Sequence, residues 1–221
     1  MSELWPIIKT SLLIASLATL LVMLCSTLLA LLLVTYRSFF LRMLELLIYV
    51  PMAMPPVALG FGLLQVLGPN TSIGSFMHEY FNIDIAFTPL GAVVAAFMVS
   101  FGIGLRAMRI SLENIDPIHG QRAALMGANK LQVFYYITFP LCRSSFVGAA
   151  ILVFIRSLGE FGATMVLAGN NLGTTRTLAL AIWTDMQNPS EYSQCLMLVM
   201  ISAILSLLAL LCSELLLTRN K

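Results

Sequence analysis

Five apolar runs, at residues 7–34, 44–67, 89–108, 143–168 and 192–217, divide the chain. Each reaches the roughly 20 residues that a helix needs to cross the hydrocarbon core of a bilayer. Ten-residue stretches of alternating polarity between turns do not occur, which excludes a membrane β-barrel. A backbone in lipid must satisfy its own hydrogen bonds, so the pattern predicts an all-α integral membrane protein with five transmembrane helices. The connections are a short basic turn at 35–43, polar loops at 68–88 and 169–191, and a longer segment between the third and fourth runs. Within that segment, GQRAALMGANKLQVFYYITFP at 120–140 is too polar to span and too regular for a linker.

Composition supports one membrane domain over 7–217: 59% of the 221 residues are hydrophobic and 10% charged, where a soluble domain carries about 25% charged residues. The first run lacks a basic n-region and a small-residue cleavage site, so it reads as a retained helix. Cys25, Cys142, Cys195 and Cys212 lie in or beside apolar runs without a close pair and read as small apolar fillers. With two histidines, no metal or cofactor site is expected, and a net charge of +2 does not point to nucleic acid.

The distribution of charge is more informative. Arg37, Arg42, Arg106, Arg109, Arg122, Lys130, Arg143, Arg219 and Lys221 fall on one side of the predicted spans, Lys9 and Arg176 on the other, and Arg156 inside a span. Positive residues are retained on the cytoplasmic side, so the N-terminus is expected outside, the C-terminus inside, and residues 116–140 in the cytoplasm.

In that cytoplasmic segment Asp116-Pro117 is a helix start, a capping carboxylate followed by proline at the first helical position. A short helix from Ile118 to Met126 is expected to end at Gly127. In a second helical stretch Leu131, Phe134, Tyr135 and Thr138 share a face, and Pro140 is expected to close it before the next span. An interfacial amphipathic helix would show the same periodicity.

Inside the membrane, Pro51, Pro55 and Pro56 remove backbone donors from the second run. They predict a kink or break, which either improves packing or offers N–H groups to an anion. Arg156 and Glu160 stand one helical turn apart and can pair, lowering the cost of burying either. Glu160 reads as the only acid deep in a span. It would repel an anion, so a structural or gate-forming contact is expected of it rather than ligation. Ser157, Gly159, Gly162 and Thr164 add small and hydroxyl-bearing surface, suited to close helix packing or to donating to an oxyanion. No Gly-x-x-x-x-Gly-Lys-Ser/Thr occurs, so this chain does not cradle ATP phosphates and no catalytic residue is expected.

Gly127, nine residues, then Ile137-Thr138-Phe139-Pro140 resembles the cytoplasmic signature loop of binding-protein-dependent ABC transporter permeases: Glu-Ala-Ala, three residues, Gly, nine residues, Ile, any residue, Leu, Pro. Gln121, Arg122 and Ala123 occupy the Glu-Ala-Ala positions, and Phe139 stands for Leu. The second run, Val50-Pro51-Met52-Ala53-Met54-Pro55-Pro56-Val57-Ala58-Leu59-Gly60, resembles molybdate permeases. So do Arg156-Ser157-Leu158-Gly159-Glu160-Phe161-Gly162-Ala163-Thr164, Ala168-Gly169-Asn170 and Thr175-Arg176-Thr177-Leu178. Sulfate permeases share a looser version.

The resemblance covers nearly the whole chain and implies the type I ABC importer permease fold in a prokaryotic inner membrane. It implies a coupling loop at 116–140 that docks on an ATPase through Gln121, Arg122, Ala123, Gly127, Ala128, Ile137 and Pro140. Pathway or gate candidates are Pro55, Pro56, Ser157, Gly159, Glu160, Gly162 and Thr164. Implied partners are a second permease copy, two ATP-binding subunits, an external molybdate-binding protein and membrane lipid. Sulfate, thiosulfate or tungstate is the alternative cargo. An ion-coupled secondary transporter is a further alternative, but it would ordinarily show inverted repeats and several intramembrane ionisable groups.

Overall fold

The structure is a computed structural model that describes residues 4–36 and 38–218. Arg37, Arg219 and Lys221, which enter the charge distribution above, lie outside the described residues. In chain order the helices are α1 (Leu4–Thr35), α2 (Phe39–Ala53), α3 (Pro56–Leu67), α4 (Ser72–Phe81), α5 (Pro89–Glu113), α6 (Pro117–Leu125), α7 (Lys130–Val133), α8 (Phe139–Leu158), α9 (Gly162–Leu167), α10 (Leu178–Asp185) and α11 (Tyr192–Thr218). A π turn, Phe134–Thr138, joins α7 to α8.

The core forms around α5, which packs against α1, α2, α8 and α9. Along α1 the buried residues Ser11, Ala15, Ala18, Val22, Ser26 and Ala30 recur every three or four positions, so they form one stripe. They meet an α5 face built from Ala92, Ala96, Gly104 and Leu105, while Ala95 and Val99 on the other side of α5 pack with Leu59 of α3 and Ala163 of α9. Lipid is as apolar as the side chains it would solvate, so helix association in a membrane relies on close packing, and small residues permit it. Gly104 has no room for a side chain: a Cβ there would lie 2.5 Å from Cγ1 of Val22.

Among the described residues four helices are long and apolar enough to cross a membrane: α1, α5, the continuous helix Lys130–Leu158 and the helix ending in α11. The fifth expected span is a bent pair. α2 and α3 meet at 116°, a far sharper break than a kink within one helix over 44–67. The residue before a proline is driven out of the α region. Met54 (ψ 150°), which precedes Pro55, and Pro55 (ψ 129°), which precedes Pro56, are both extended, so two successive residues leave the helix and the chain turns.

The fourth span also differs from the expected 143–168. It begins at Lys130, passes through Pro140 without ending, and stops at Leu158. The Phe139 N–H closes the π turn on the Phe134 carbonyl, and Pro140 follows it directly, so the wider π register stands where the proline ring removes an ordinary helical bond. After a break at 159–161, α9 continues as a separate short helix.

Both loops read as polar contain helices. In the first, the Thr71 hydroxyl caps α4 by accepting the Gly74 N–H at 3.0 Å. In the second, α10 buries Leu178, Leu180 and Ala181. It is pinned to α1, the Leu178 N–H donating to Ser11 Oγ at 2.7 Å.

Candidate functional site: two facing helix breaks and an exposed loop

The α2–α3 bend and the α8–α9 break, about a hundred residues apart in sequence, face each other in the fold. Glycine makes this approach possible. A Cβ on Gly60 would lie 2.8 Å from both Cα and O of Ala163, and a Cβ on Gly162 would lie 3.0 Å from Cβ of Pro56 and 3.1 Å from the backbone nitrogen of Val57. The backbones of α3 and α9 are therefore nearly in contact.

Around that contact the candidate residues separate into two groups. Pro55 and Gly159 are exposed at the two breaks and Pro56 is half-buried, whereas Ser157, Glu160, Gly162 and Thr164 are buried within the protomer. Ser157 Oγ lies 3.0 Å from Ser100 Oγ on α5. Arg156 and Glu160 do pair, Nη1 donating to Oε2 at 2.7 Å, although Glu160 lies beyond the end of α8. The other carboxylate oxygen accepts the Ala163 N–H at 3.0 Å. One side chain thus caps the next helix and balances an arginine.

Glu160 is not the only acid buried in a span. Glu45 on α2 is also buried, at 5% exposure. It accepts from the Tyr49 hydroxyl at 2.6 Å and from Nη1 of Arg109 on α5. Arg109 Nε in turn donates to Glu113 at 2.9 Å. Glu45 stands at the edge of the second apolar run, and its partner is far away in sequence. The available signal was weak: Glu45 and Tyr49 sit one turn apart on the same face.

On the 116–140 segment, Asp116 Oδ1 accepts the Ile118 N–H at 2.9 Å and Pro117 opens α6, as its sequence predicts. The helix ends in a Schellman arrangement: the Ala128 N–H bonds the Ala123 carbonyl, the Gly127 N–H bonds the Ala124 carbonyl, and Gly127 has φ +91°. Asn129 and Gln132 then form a reciprocal capping box that starts α7. Of the expected docking residues, Gln121, Arg122, Gly127 and Pro140 are exposed, Ala128 and Ile137 are half-buried, and Ala123 is buried. The most prominent apolar side chains were not among them: Leu125 is 88% exposed and Met126 83%, at the tip where α6 ends.

Among the described residues no group of three or more His, Cys, Asp or Glu side chains could hold a metal ion. The cysteines are free thiols.

Residues 23–219 match the family described as "Binding-protein-dependent transport system inner membrane component". The molybdenum transport system permease protein ModB of Haemophilus influenzae is 40% identical over 167 residues, covering 76% of this chain and 73% of that protein. The ModB protein of Escherichia coli K12 is 39% identical over 172 residues, covering 78% and 75%. Among solved structures, a bacterial ABC transporter that imports the polysaccharide alginate superposes with a TM-score of 0.80 at 16% identity, over 99% of this chain and 80% of that one. The methionine ABC transporter MetNI superposes with a TM-score of 0.72 at 14% identity, over 100% and 95%. Both share the fold.

Proposed function

The chain belongs to the family of binding-protein-dependent transport system inner membrane components, and from that premise we propose that it is the membrane permease subunit of an ATP-driven importer whose cargo is molybdate. The meeting of α3 with α9 carries this reading. The two stretches that bring the helix breaks together, Pro55-Pro56-Val57 and Gly159 to Thr164, are those that resemble molybdate permeases, and relatives 40% and 39% identical are molybdenum permeases.

The permease is a single domain over 7–217, with the N-terminus outside and residues 116–140 in the cytoplasm as its coupling loop. Pro55 and Gly159 lie on the surface of one copy. A second copy related by a two-fold axis encloses the pathway between them. ATP is bound and hydrolysed by two partner subunits that receive the coupling loop, with Leu125 and Met126 entering their groove beside Gln121, Arg122, Ala123, Gly127 and Ala128. An external protein delivers the molybdate dianion.

The helix Lys130–Leu158 runs unbroken from that loop to the break at Gly159, on the order of 40 Å at 1.5 Å per residue. A displacement of α6 and α7 by closing ATPase subunits is transmitted along it, past Ile137 and Pro140, to the α8–α9 break. The ATPase acts by preferring one permease conformation over another, and that differential preference sets the equilibrium between inward and outward access.

Uptake by proteoliposomes containing the whole complex tests the reading. With loaded binding protein outside and ATP inside, labelled molybdate should accumulate, and sulfate should compete poorly. Uptake without ATP, or of sulfate in preference, would refute it.

A further inference from the structure

Arg176 stands in the loop between α9 and α10, partly buried, in an arrangement that fixes its side chain without neutralising it. Its Nε donates to Asn170 Oδ1 at 2.9 Å, Asn170 Nδ2 donates to Thr184 Oγ1 at 2.7 Å, and Thr184 Oγ1 donates to the Leu180 carbonyl at 2.9 Å. A hydroxyl has one proton, and that of Thr184 is committed to Leu180, so toward Asn170 it can only accept. This orients the Asn170 amide with its NH2 on Thr184 and its oxygen on Arg176. The backbone beneath is held as firmly. The Thr175 and Arg176 N–H groups both reach the Asn171 carbonyl at 3.0 Å, and the buried Thr175 hydroxyl accepts the Asn171 N–H and donates to the Gly169 carbonyl.

The choice of partner distinguishes this arginine from Arg109 and Arg156. Arg109 bonds the carboxylates of Glu45 and Glu113, and Arg156 bonds that of Glu160. Arg176 bonds a neutral amide, which positions the guanidinium and leaves its charge uncancelled. The bond uses Nε, so the two terminal nitrogens remain as the planar fork that recognises oxyanions.

Its location adds to this. Asn170 follows the end of α9, the helix packed against α3 at the two breaks, and Phe161 at the α8–α9 break contacts Trp183 of α10 at 5.8 Å between ring centroids. On the proposed orientation this loop faces outward, where basic residues are few because cytoplasmic retention favours the other side. The second outer base, Lys9, lines with Thr10, Pro89, Gly173 and Thr174 a cavity of about 420 Å³. Lys9 and Arg176 therefore both border the loop that follows α9.

We propose that Arg176 is an oxyanion-contacting residue of the outer mouth, its terminal guanidinium nitrogens receiving the tetrahedral dianion before it enters the pathway between the two copies. The assignment rests on the importer reading above and adds a specific contact to it.

Asn170→Asp is the informative variant, because it keeps the acceptor for Nε while neutralising the arginine. In proteoliposomes with the ATPase subunits, molybdate-loaded binding protein and internal ATP, Asn170→Asp and Arg176→Gln should each lower uptake roughly tenfold, as expected for loss of a charge-assisted bidentate contact. Arg176→Lys should fall between them and wild type. Copurification of the ATPase subunits verifies that each variant is folded and assembled. A loop staple with no role toward the anion predicts instead that Asn170→Asp, which loses the donor to Thr184 while strengthening the bond to Arg176, lowers uptake no more than Thr184→Val, which loses the same bond without adding charge, and that result would overturn the proposal. Weaker capture of the binding protein by Arg176→Gln, equally for its empty and loaded forms, would also overturn it by assigning the contact to protein. A wild-type complex that moves no oxyanion would sink the importer reading itself. A transporting wild type with Asn170→Asp no worse than Thr184→Val sinks only the assignment of Arg176.

Discussion

Glu45 and Arg109, 64 residues apart, form an ion pair that ties the first half of the bent span to the central helix, with Tyr49 holding the second carboxylate oxygen. Removing one member of a buried pair leaves the other uncompensated. Because the Arg109 side chain is 32% exposed, Glu45→Ala should cost toward the lower end of the usual range, about 3 kcal/mol. The double variant Glu45→Leu, Arg109→Met should cost less than either single change. Thermal unfolding of the detergent-solubilised complex measures both.

The approach of α3 to α9 makes two neighbouring glycines respond differently. Gly60→Ala would press a methyl onto the Ala163 backbone at 2.8 Å, and should destabilise by about 1–3 kcal/mol while reducing uptake. At Gly62 an added Cβ meets nothing within 4 Å, so Gly62→Ala should be neutral or stabilising by up to about 1 kcal/mol. Equal effects at the two positions would show that α3 and α9 are not in close contact.

Ser157 and Ser100 join α8 to α5 through one buried hydrogen bond. Ser157→Ala should cost about 1–3 kcal/mol because it leaves the Ser100 hydroxyl unsatisfied, and adding Ser100→Ala should recover part of that loss. A double-mutant cycle on unfolding free energy reads the difference.

Glu160 has two separable roles. Glu160→Gln removes the charge paired with Arg156 but keeps an oxygen for the Ala163 N–H; Glu160→Ala loses both. The alanine variant should be less stable than the glutamine variant by about 1 kcal/mol, the worth of a helix cap.

Leu125 and Met126 are exposed at the tip of the loop proposed to receive the ATPase. Changing both to Asp should abolish copurification of the ATPase subunits while leaving membrane insertion intact. An apolar anchor at the centre of an interface contributes about 2 kcal/mol or more, and a charge buried there costs further. Full copurification would contradict the assignment of this loop.

Much of the helical content was legible in the sequence. α1, α5 and α11 follow from apolar runs, because a backbone in lipid has no other way to satisfy its hydrogen bonds. α6 follows from Asp116, Pro117 and Gly127, whose roles are local: a carboxylate that caps, a ring that starts a helix, and a residue that tolerates positive φ. α10 was obscured because Thr177 and Asn170 mark the region as polar, although its leucines pack on α1 and α11. The candidate site was legible as residue types only. Pro55 and Pro56 announced a break but not its angle, and Arg156 announced Glu160 as its partner but not that the carboxylate lies beyond the end of α8.

The sequence by itself determined that the chain is helical and membrane-spanning, and where α6 starts and stops, since hydropathy, capping and proline act within one or two turns. Only the tertiary structure decided that α2 and α3 meet at 116°, that helix Lys130–Leu158 passes through Pro140, and that Glu45 belongs to Arg109. It also decided that the Gly60 and Gly162 surfaces close upon each other. Those outcomes depend on contacts between residues tens to a hundred positions apart, where the absence of a side chain on one helix matters only once another backbone occupies the space.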